Sequence, residues 1–173
     1  VCRYSIQTMG RDLYYAATTN ARENPGVAAA HFTEVEVDTY TGRVRIKDCL
    51  SVHDIGKAIN PEMCIGQVGS GIQQGIGMAL REEIKIDPKT GRTLITNLKN
   101  YENINAWDMP KYRVLFIEEP EESGPFGAKS IGEVVLVPVA PAVVAAVNDA
   151  LGTNLTHLPL TPSVILEALE GKG

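Results

Sequence analysis

Glu133 is the only carboxylate in Gly124-Pro125-Phe126-Gly127-Ala128-Lys129-Ser130-Ile131-Gly132-Glu133, a ten-residue stretch that holds three glycines. Small residues let backbone come close to a neighbour. A carboxylate placed directly before the apolar run Val134-Val135-Leu136-Val137 is a candidate general base. On spacing alone another reading is favoured: a glycine-rich turn whose Glu133 opens a helix and interacts well with its dipole. Lys129 stands four residues before Glu133, but Gly132 between them argues against continuous helix, and Lys129 receives no catalytic role. His53-Asp54 is the other pair with a catalytic look. Adjacent residues rarely hydrogen-bond side chain to side chain, and no serine stands in a nucleophile elbow. The pair reads as a structural turn in which Asp54 and Asn60 bond nearby backbone and Gly56 permits the loop. His31 reads as a surface or strand-end residue rather than a ligand. Cys2, Cys49 and Cys64 are odd in number and form no C-x-x-C pair. They imply three reduced thiols in a cytoplasmic protein, with no iron–sulfur, zinc or other metal site built from this chain.

These residues need elements to position them. Residues 1–26 read as a mixed, polar lead-in with a turn at Asn24-Pro25-Gly26. Alternation predicts an antiparallel hairpin of residues 31–38 with 43–52 around a turn at Thr39-Tyr40-Thr41-Gly42. Asn60-Pro61 is a helix start, and the spacing predicts a helix from Pro61 to Glu82. Its apolar stripe is Ile65, Val68, Ile72, Ile76 and Ala79. Gly66, Gly69, Gly71, Gly75 and Gly77 each cost that helix ~1 kcal/mol against Ala, which close packing of backbone or ligand should offset. Gln67 and Gln74 fall seven apart on a face away from Ile72. On residues alone they are either solvent-facing or ligand-binding amides, the first being favoured.

A second hairpin is predicted from 83–87 with 93–96 around the turn Asp87-Pro88-Lys89-Thr90-Gly91. Residues 100–112 are irregular, Arg113–Glu118 is a strand, and Glu118-Glu119-Pro120-Glu121-Glu122 is a solvated loop. A helix follows over Val137–Leu151, stopped by Gly152, with Val139, Val143, Ala146, Val147 and Ala150 buried. A last one starts at Thr161-Pro162, Thr161 as cap, and ends near Glu170. Residues 171–173 form a frayed tail. The fold class is α+β, with antiparallel β-hairpins and two or three packed helices.

Gly124 to Glu133 resembles the signature near the C-terminus of the molybdopterin-binding large subunit of the molybdenum hydroxylases, the xanthine dehydrogenase and aldehyde oxidase family. The family pattern is Gly-Ala-Lys-(Gly/Ser)-(Val/Ile)-Gly-Glu. Further stretches match in the same order: His53-Asp54-Ile55-Gly56-Lys57-Ala58-Ile59-Asn60-Pro61, Gly66-Gln67, Gln74-Gly75-Ile76-Gly77 and Leu158-Pro159-Leu160-Thr161-Pro162. The resemblance covers about Ala28 to Leu169. One departure stands out: Tyr101-Glu102-Asn103-Ile104-Asn105-Ala106 replaces the family's Tyr-Lys-Ile-Pro-Thr-Ala.

The resemblance implies that residues 1–173 are the C-terminal part of a larger molybdopterin-binding domain. It implies hydroxylation of a heteroaromatic or aldehyde carbon with water as oxygen source, a xanthine-like purine being the leading substrate. Glu133 would be the general base, and Gln67, Ile131 and Gly132 would touch the molybdenum–molybdopterin cofactor, whose mono- or dinucleotide form stays open. An amide with donors and an acceptor suits the mixed edges of a pterin. Iron–sulfur clusters and FAD are expected on other domains or subunits. The implied partners are the remainder of the subunit, those redox components and a small-molecule substrate. Two alternatives remain: a structural or assembly piece inert on its own, and an unrelated nucleotide-binding module. The second lacks both G-x-x-x-x-G-K-[ST] and a strand-borne G-x-G-x-x-G.

Composition bounds the rest. The chain has 173 residues, 44% hydrophobic and 21% charged, which suits one globular core. A net charge of −5 argues against nucleic acid or an anionic membrane surface as partner. No apolar run is expected to reach the length of a membrane span.

Overall fold

The structure is a computed structural model that describes residues 25–171. The lead-in therefore lies outside the described residues except for Pro25 and Gly26, as do Cys2 and the last two residues of the tail. Three strands form one sheet in the order β1 (Ala29–Asp38), β2 (Arg43–Asp54), β3 (Lys111–Ile117). Strands β1 and β2 pair antiparallel, and the hairpin extends two residues beyond the expected limits at its open end. Its turn is set locally: the Asp38 carboxylate accepts from the backbone N–H of Tyr40 and Thr41 and from the Thr41 hydroxyl, and Gly42 takes φ +70.

Strand β3 runs parallel to β2, Asp48 facing Lys111 and Asp54 facing Ile117. A parallel neighbour needs a long crossover, here supplied by helix α1 (Pro61–Leu80) and the irregular residues 81–110. The predicted second hairpin shrinks to one bridge, Ile86 with Thr93, closed by the Asp87–Gly91 turn. Its apolar residues Ile84, Ile86 and Leu94 stay exposed, so nothing in the described chain rewards a longer ladder.

Helix α1 begins as its sequence requires, the Asn60 side chain accepting from Met63 N–H at 3.2 Å with Pro61 in the first turn. Val68, Ile72, Ile76 and Ala79 form the buried stripe, whereas Ile65 is exposed. Helix α2 (Val139–Leu151) packs on α1 and β1, and ends at Gly152 in the left-handed conformation. Val139, Ala140, Val143 and Val147 are its buried residues; Ala150, expected inside, is exposed. Helix α3 (Pro162–Glu170) buries Ile165, and Thr161 pairs with the Ser163 hydroxyl rather than capping it.

Two of the helix glycines explain the packing. A Cβ at Gly71 would collide with Val135, and one at Gly75 with Val139. Burying a valine contributes about 2 kcal/mol, which more than offsets the ~1 kcal/mol that each glycine costs the helix.

The stretch Glu133–Leu151 has a mean hydropathy of 2.0 and is long and apolar enough, by length and composition, to cross a membrane. This corrects the expectation that no such run exists. In the structure the stretch is divided. A short 3-10 turn (Glu133–Val135) precedes the 13-residue α2. At ~1.5 Å per residue that helix spans ~20 Å, short of the ~30 Å of a bilayer core, and its valines sit in the protein core.

Candidate functional site

Three segments, residues 54–60, 118–121 and 124–133, converge beside the N-terminal half of α1. Gly56, at φ +60, bridges to Ala128 of the glycine-rich loop, and the Lys129 N–H donates to the Ile55 carbonyl at 2.8 Å. The Lys57 N–H donates to the Gly127 carbonyl, also at 2.8 Å. A Cβ on Gly56 would strike that carbonyl, so the two loops touch backbone to backbone. The expected job of Gly56 and Asp54 as turn-makers holds: Asp54 accepts from the Gly56 N–H at 3.1 Å. The other carboxylate oxygen of Asp54 accepts from Lys129 Nζ at 2.7 Å. Lys129 is thus a partner of Asp54, 75 residues away, and not of Glu133.

Past Lys129 the chain reaches Ile131, half-buried against the core, and Gly132, whose carbonyl accepts from Gln67 Nε2 at 3.0 Å. Glu133 follows and opens the 3-10 turn, in which Leu136 N–H closes onto the Glu133 carbonyl. Val135 then sits in the notch left by Gly71. The Glu133 side chain is exposed, with no hydrogen-bond partner among the described residues. The local reading, a glutamate at the start of a helical turn, is therefore correct as geometry; the turn is a single 3-10 turn.

Beside this loop lies a cleft of about 460 Å³, lined by Ile55, Lys57, Ile59, Asn60, Met63, Cys64, Gln67, Ala128, Lys129, Ile131 and Gly132. Gln67, Ile131 and Gly132, named from the sequence, line it together, and Glu133 adjoins Gly132. A larger cleft of about 760 Å³ between the start of β2 and residues 104–111 includes none of these four. Gln74 does not reach the smaller cleft; its amide faces the Ser70 hydroxyl at 3.4 Å. Lys57, Asn60 and Cys64 were missed as lining residues. The first two stand inside the 53–61 motif, so the motif was the available signal.

The cleft has the chemistry for a flat group with polar edges. Ile55, Ile59, Met63 and Ile131 are apolar, while Gln67 and Asn60 supply amides and Lys57 an ammonium. Lys57 Nζ is held by Glu118 at 2.9 Å, and the same carboxylate oxygen accepts from the Ala58 N–H at 3.4 Å. The acidic run 118–122 is therefore tied to the site loops and not simply solvated. Glu121 is likewise engaged, its carboxylate accepting from Ser123 N–H and hydroxyl.

Behind the cleft, on the inner face of the hairpin, His53 is buried and pairs with the Ser51 hydroxyl at 2.7 Å. His31 lies near it. Burial, with His53 close by, pulls the His31 pKa down to about 4. Neither ring nitrogen of His31 and not the Nδ1 of His53 has a hydrogen-bond partner among the described residues. His31 lies near the start of β1, and its buried ring corrects only the surface half of the expected surface or strand-end position. Cys49 is buried in the same face, and burial pushes its thiol up to about 11, which keeps it an unreactive thiol.

Known proteins resemble this chain in sequence and in fold. Residues 4–110 match the sequence profile of the molybdopterin cofactor-binding domain family. The chain is 37% identical over 158 residues to a putative xanthine dehydrogenase molybdenum-binding subunit of Escherichia coli, covering 91% of this chain and 21% of that protein. It superposes on quinoline 2-oxidoreductase from Pseudomonas putida 86 with a TM-score of 0.75 at 37% identity, covering 79% of this chain and 18% of that one. Aldehyde oxidoreductase from Desulfovibrio gigas gives a TM-score of 0.75 at 30% identity over 83% of this chain and 15% of that one. The chain spans about a fifth of the length of the first curated relatives it matches. The unrelated nucleotide-binding alternative has no support left. With its α+β fold, its converging loops and its family profile, the chain belongs to the molybdopterin cofactor-binding domain family of the molybdenum hydroxylases.

Proposed function

We propose that the chain is the C-terminal part of the molybdopterin-binding domain of a cytoplasmic molybdenum hydroxylase, and that it presents Glu133 to substrate as general base. The observation that carries this reading is the loop geometry. Glu133 follows Gly132 at the edge of the cleft, its backbone held from both sides and its carboxylate left unpaired among the described residues. A base must reach the proton it removes in a fixed geometry. An exposed glutamate on an anchored loop meets that need, whereas one on a frayed turn would not.

Gln67, Ile131 and Gly132 would hold the molybdopterin cofactor. When bound, that cofactor supplies the two-electron oxidation of an sp² carbon with oxygen derived from water. Gln67 already donates one N–H to Gly132, so its second N–H and its amide carbonyl are left for a ligand. Ile131 closes the apolar wall. A Glu133 carboxylate oxygen would take the proton that the water-derived hydroxyl loses as its oxygen bonds to the carbon, while the hydrogen on that carbon would leave as hydride in the two-electron oxidation that the cofactor supplies. The substrate class is a heteroaromatic ring or an aldehyde, in keeping with relatives named for xanthine, quinoline and aldehyde, and a xanthine-like purine is the leading choice. Iron–sulfur clusters and a flavin on other domains or subunits would carry the electrons away.

Glu133→Gln in the intact enzyme is the test. The change keeps size and hydrogen bonding but removes the basic oxygen. Stopped-flow reduction by substrate, at equal molybdenum content, should fall by ~10²–10⁴-fold, with reoxidation of pre-reduced enzyme unchanged. A variant within tenfold of wild type would overturn the assignment.

A further inference from the structure

The span between Lys129 and Glu133 has no fold of its own. After the Lys129 N–H bonds to Ile55, the next backbone–backbone hydrogen bond along the described loop is Leu136 to Glu133. Ser130, Ile131 and Gly132 lie in neither helix nor strand. The position of Glu133 is thus set by what grips the loop at its two ends. Downstream the grip is Val135 in the Gly71 notch and Gln67 on the Gly132 carbonyl. Upstream it is the Lys129 N–H on the Ile55 carbonyl together with the Lys129 ammonium on Asp54, the ion pair at 2.7 Å with side chains only 10% and 16% exposed.

We propose that Asp54 and Lys129 are positioning residues for Glu133, fixing the upstream end of its loop to the end of β2. This rests on the reading of Glu133 as the base. Burying an ion pair is a poor way to stabilise a fold, because desolvation consumes most of the attraction and an apolar pair of equal volume does as well or better. A charge pair does specify register, since neither partner can shift along the other without leaving a charge unpaired. That property matters here because the adjoining backbone is strained. The strain sits at Phe126, an exposed non-glycine residue that takes φ +56; Gly127 beside it takes φ +81, which glycine adopts freely. Such strain persists where surrounding contacts over-determine it. The carboxylates of Glu119 and Glu121 add a favourable field at Lys129 without bonding it.

The experiment uses the full-length holoenzyme with Asp54→Asn, Lys129→Met and the double variant, each at equal molybdenum content. Release of the upstream clamp should slow stopped-flow reduction by substrate about 10- to 100-fold, the scale of a ~1 Å misplacement. The acid limb of the pH–rate profile should move, and reoxidation should stay normal. The double variant should be no slower than the worse single one, because both changes break one clamp. Lys129→Arg should recover part of the rate. Single variants that lower thermal stability but reduce at the wild-type rate and pH profile per molybdenum overturn the proposal. Additive losses in the double variant also overturn it. If Glu133→Gln itself reduces normally, the site reading fails first. If Glu133→Gln is inactive while Lys129→Met is normal, only the positioning role fails.

Discussion

His53 and Asp54 are neighbours in sequence and opposites in structure. His53 points into the protein, with one ring nitrogen on Ser51 and the other unpaired among the described residues. Asp54 points the other way and has both oxygens satisfied, by Lys129 and by the Gly56 N–H. The inner cluster carries orphaned nitrogens in a buried site, which cost stability once they must be charged. The outer cluster is complete and ties two loops together. What looked like half of a catalytic pair is two separate devices on two faces of one strand.

The largest expected effect comes from acid acting on the inner cluster. His31 has its folded pKa lowered from 6.5 to about 4, so the unfolded chain takes a proton before the folded one does. Its contribution is present above pH ~6.5 and is lost as pH falls toward 4. At ~1.4 kcal/mol for each pH unit that separates the unfolded and folded values, the loss is on the order of 3 kcal/mol. The outer cluster answers in a different window. The Lys129 ammonium, bonded to Asp54, holds that carboxyl below the usual carboxylate range. Its contribution is therefore lost only below pH ~3.9, where unfolded Asp protonates. Urea unfolding at pH 7, 5.5 and 4 should show a fall that His31→Leu reduces, the rest coming from His53, whose pKa burial also lowers, and that Asp54→Asn leaves in place. An unchanged slope in His31→Leu would erase the distinction between the clusters.

A smaller effect should follow from Ser51→Ala. It removes the partner of His53 Nε2 and leaves a fully unpaired buried ring, at a cost of about 1–2 kcal/mol by urea unfolding. A neutral result would mean that the buried ring is satisfied in some other way.

The smallest effect supplies the control. Arg81 and Asp108 also meet at 2.7 Å, but with side chains 38% and 29% exposed. Solvent screens such a pair, so Asp108→Asn should cost only about 0.5 kcal/mol and leave reduction by substrate unchanged in the intact enzyme. A rate loss as large as that of Lys129→Met would show that distance, not enclosure, makes a clamp.

Much was legible in the sequence because it is locally encoded. The Asn60-Pro61 start, the Gly152 stop and the Asp38–Gly42 turn each depend on side chains bonding their own backbone or on glycine geometry. Gln67, Ile131 and Gly132 came from motif resemblance, and they do meet at one cleft. The extent of the second hairpin and the burial of Ile65 and Ala150 were misread, since periodicity ranks faces without saying what covers them.

Tertiary structure alone decided the rest. Val44 and Ile46 face inward, and simple alternation would carry Leu50, Val52 and Asp54 inward after them. The register instead shifts at Glu34/Val35, where Glu34 faces Asp48 and Val35 faces Ile46, leaving Lys47 without a partner in the ladder. That extra residue turns Cys49, Ser51 and His53 inside and frees Asp54 to meet Lys129. A bulge is a property of two strands together, and an ion pair 75 residues apart is a property of the folded chain. The sequence by itself determined which residues could do chemistry; a one-residue slip in pairing determined which of them face each other.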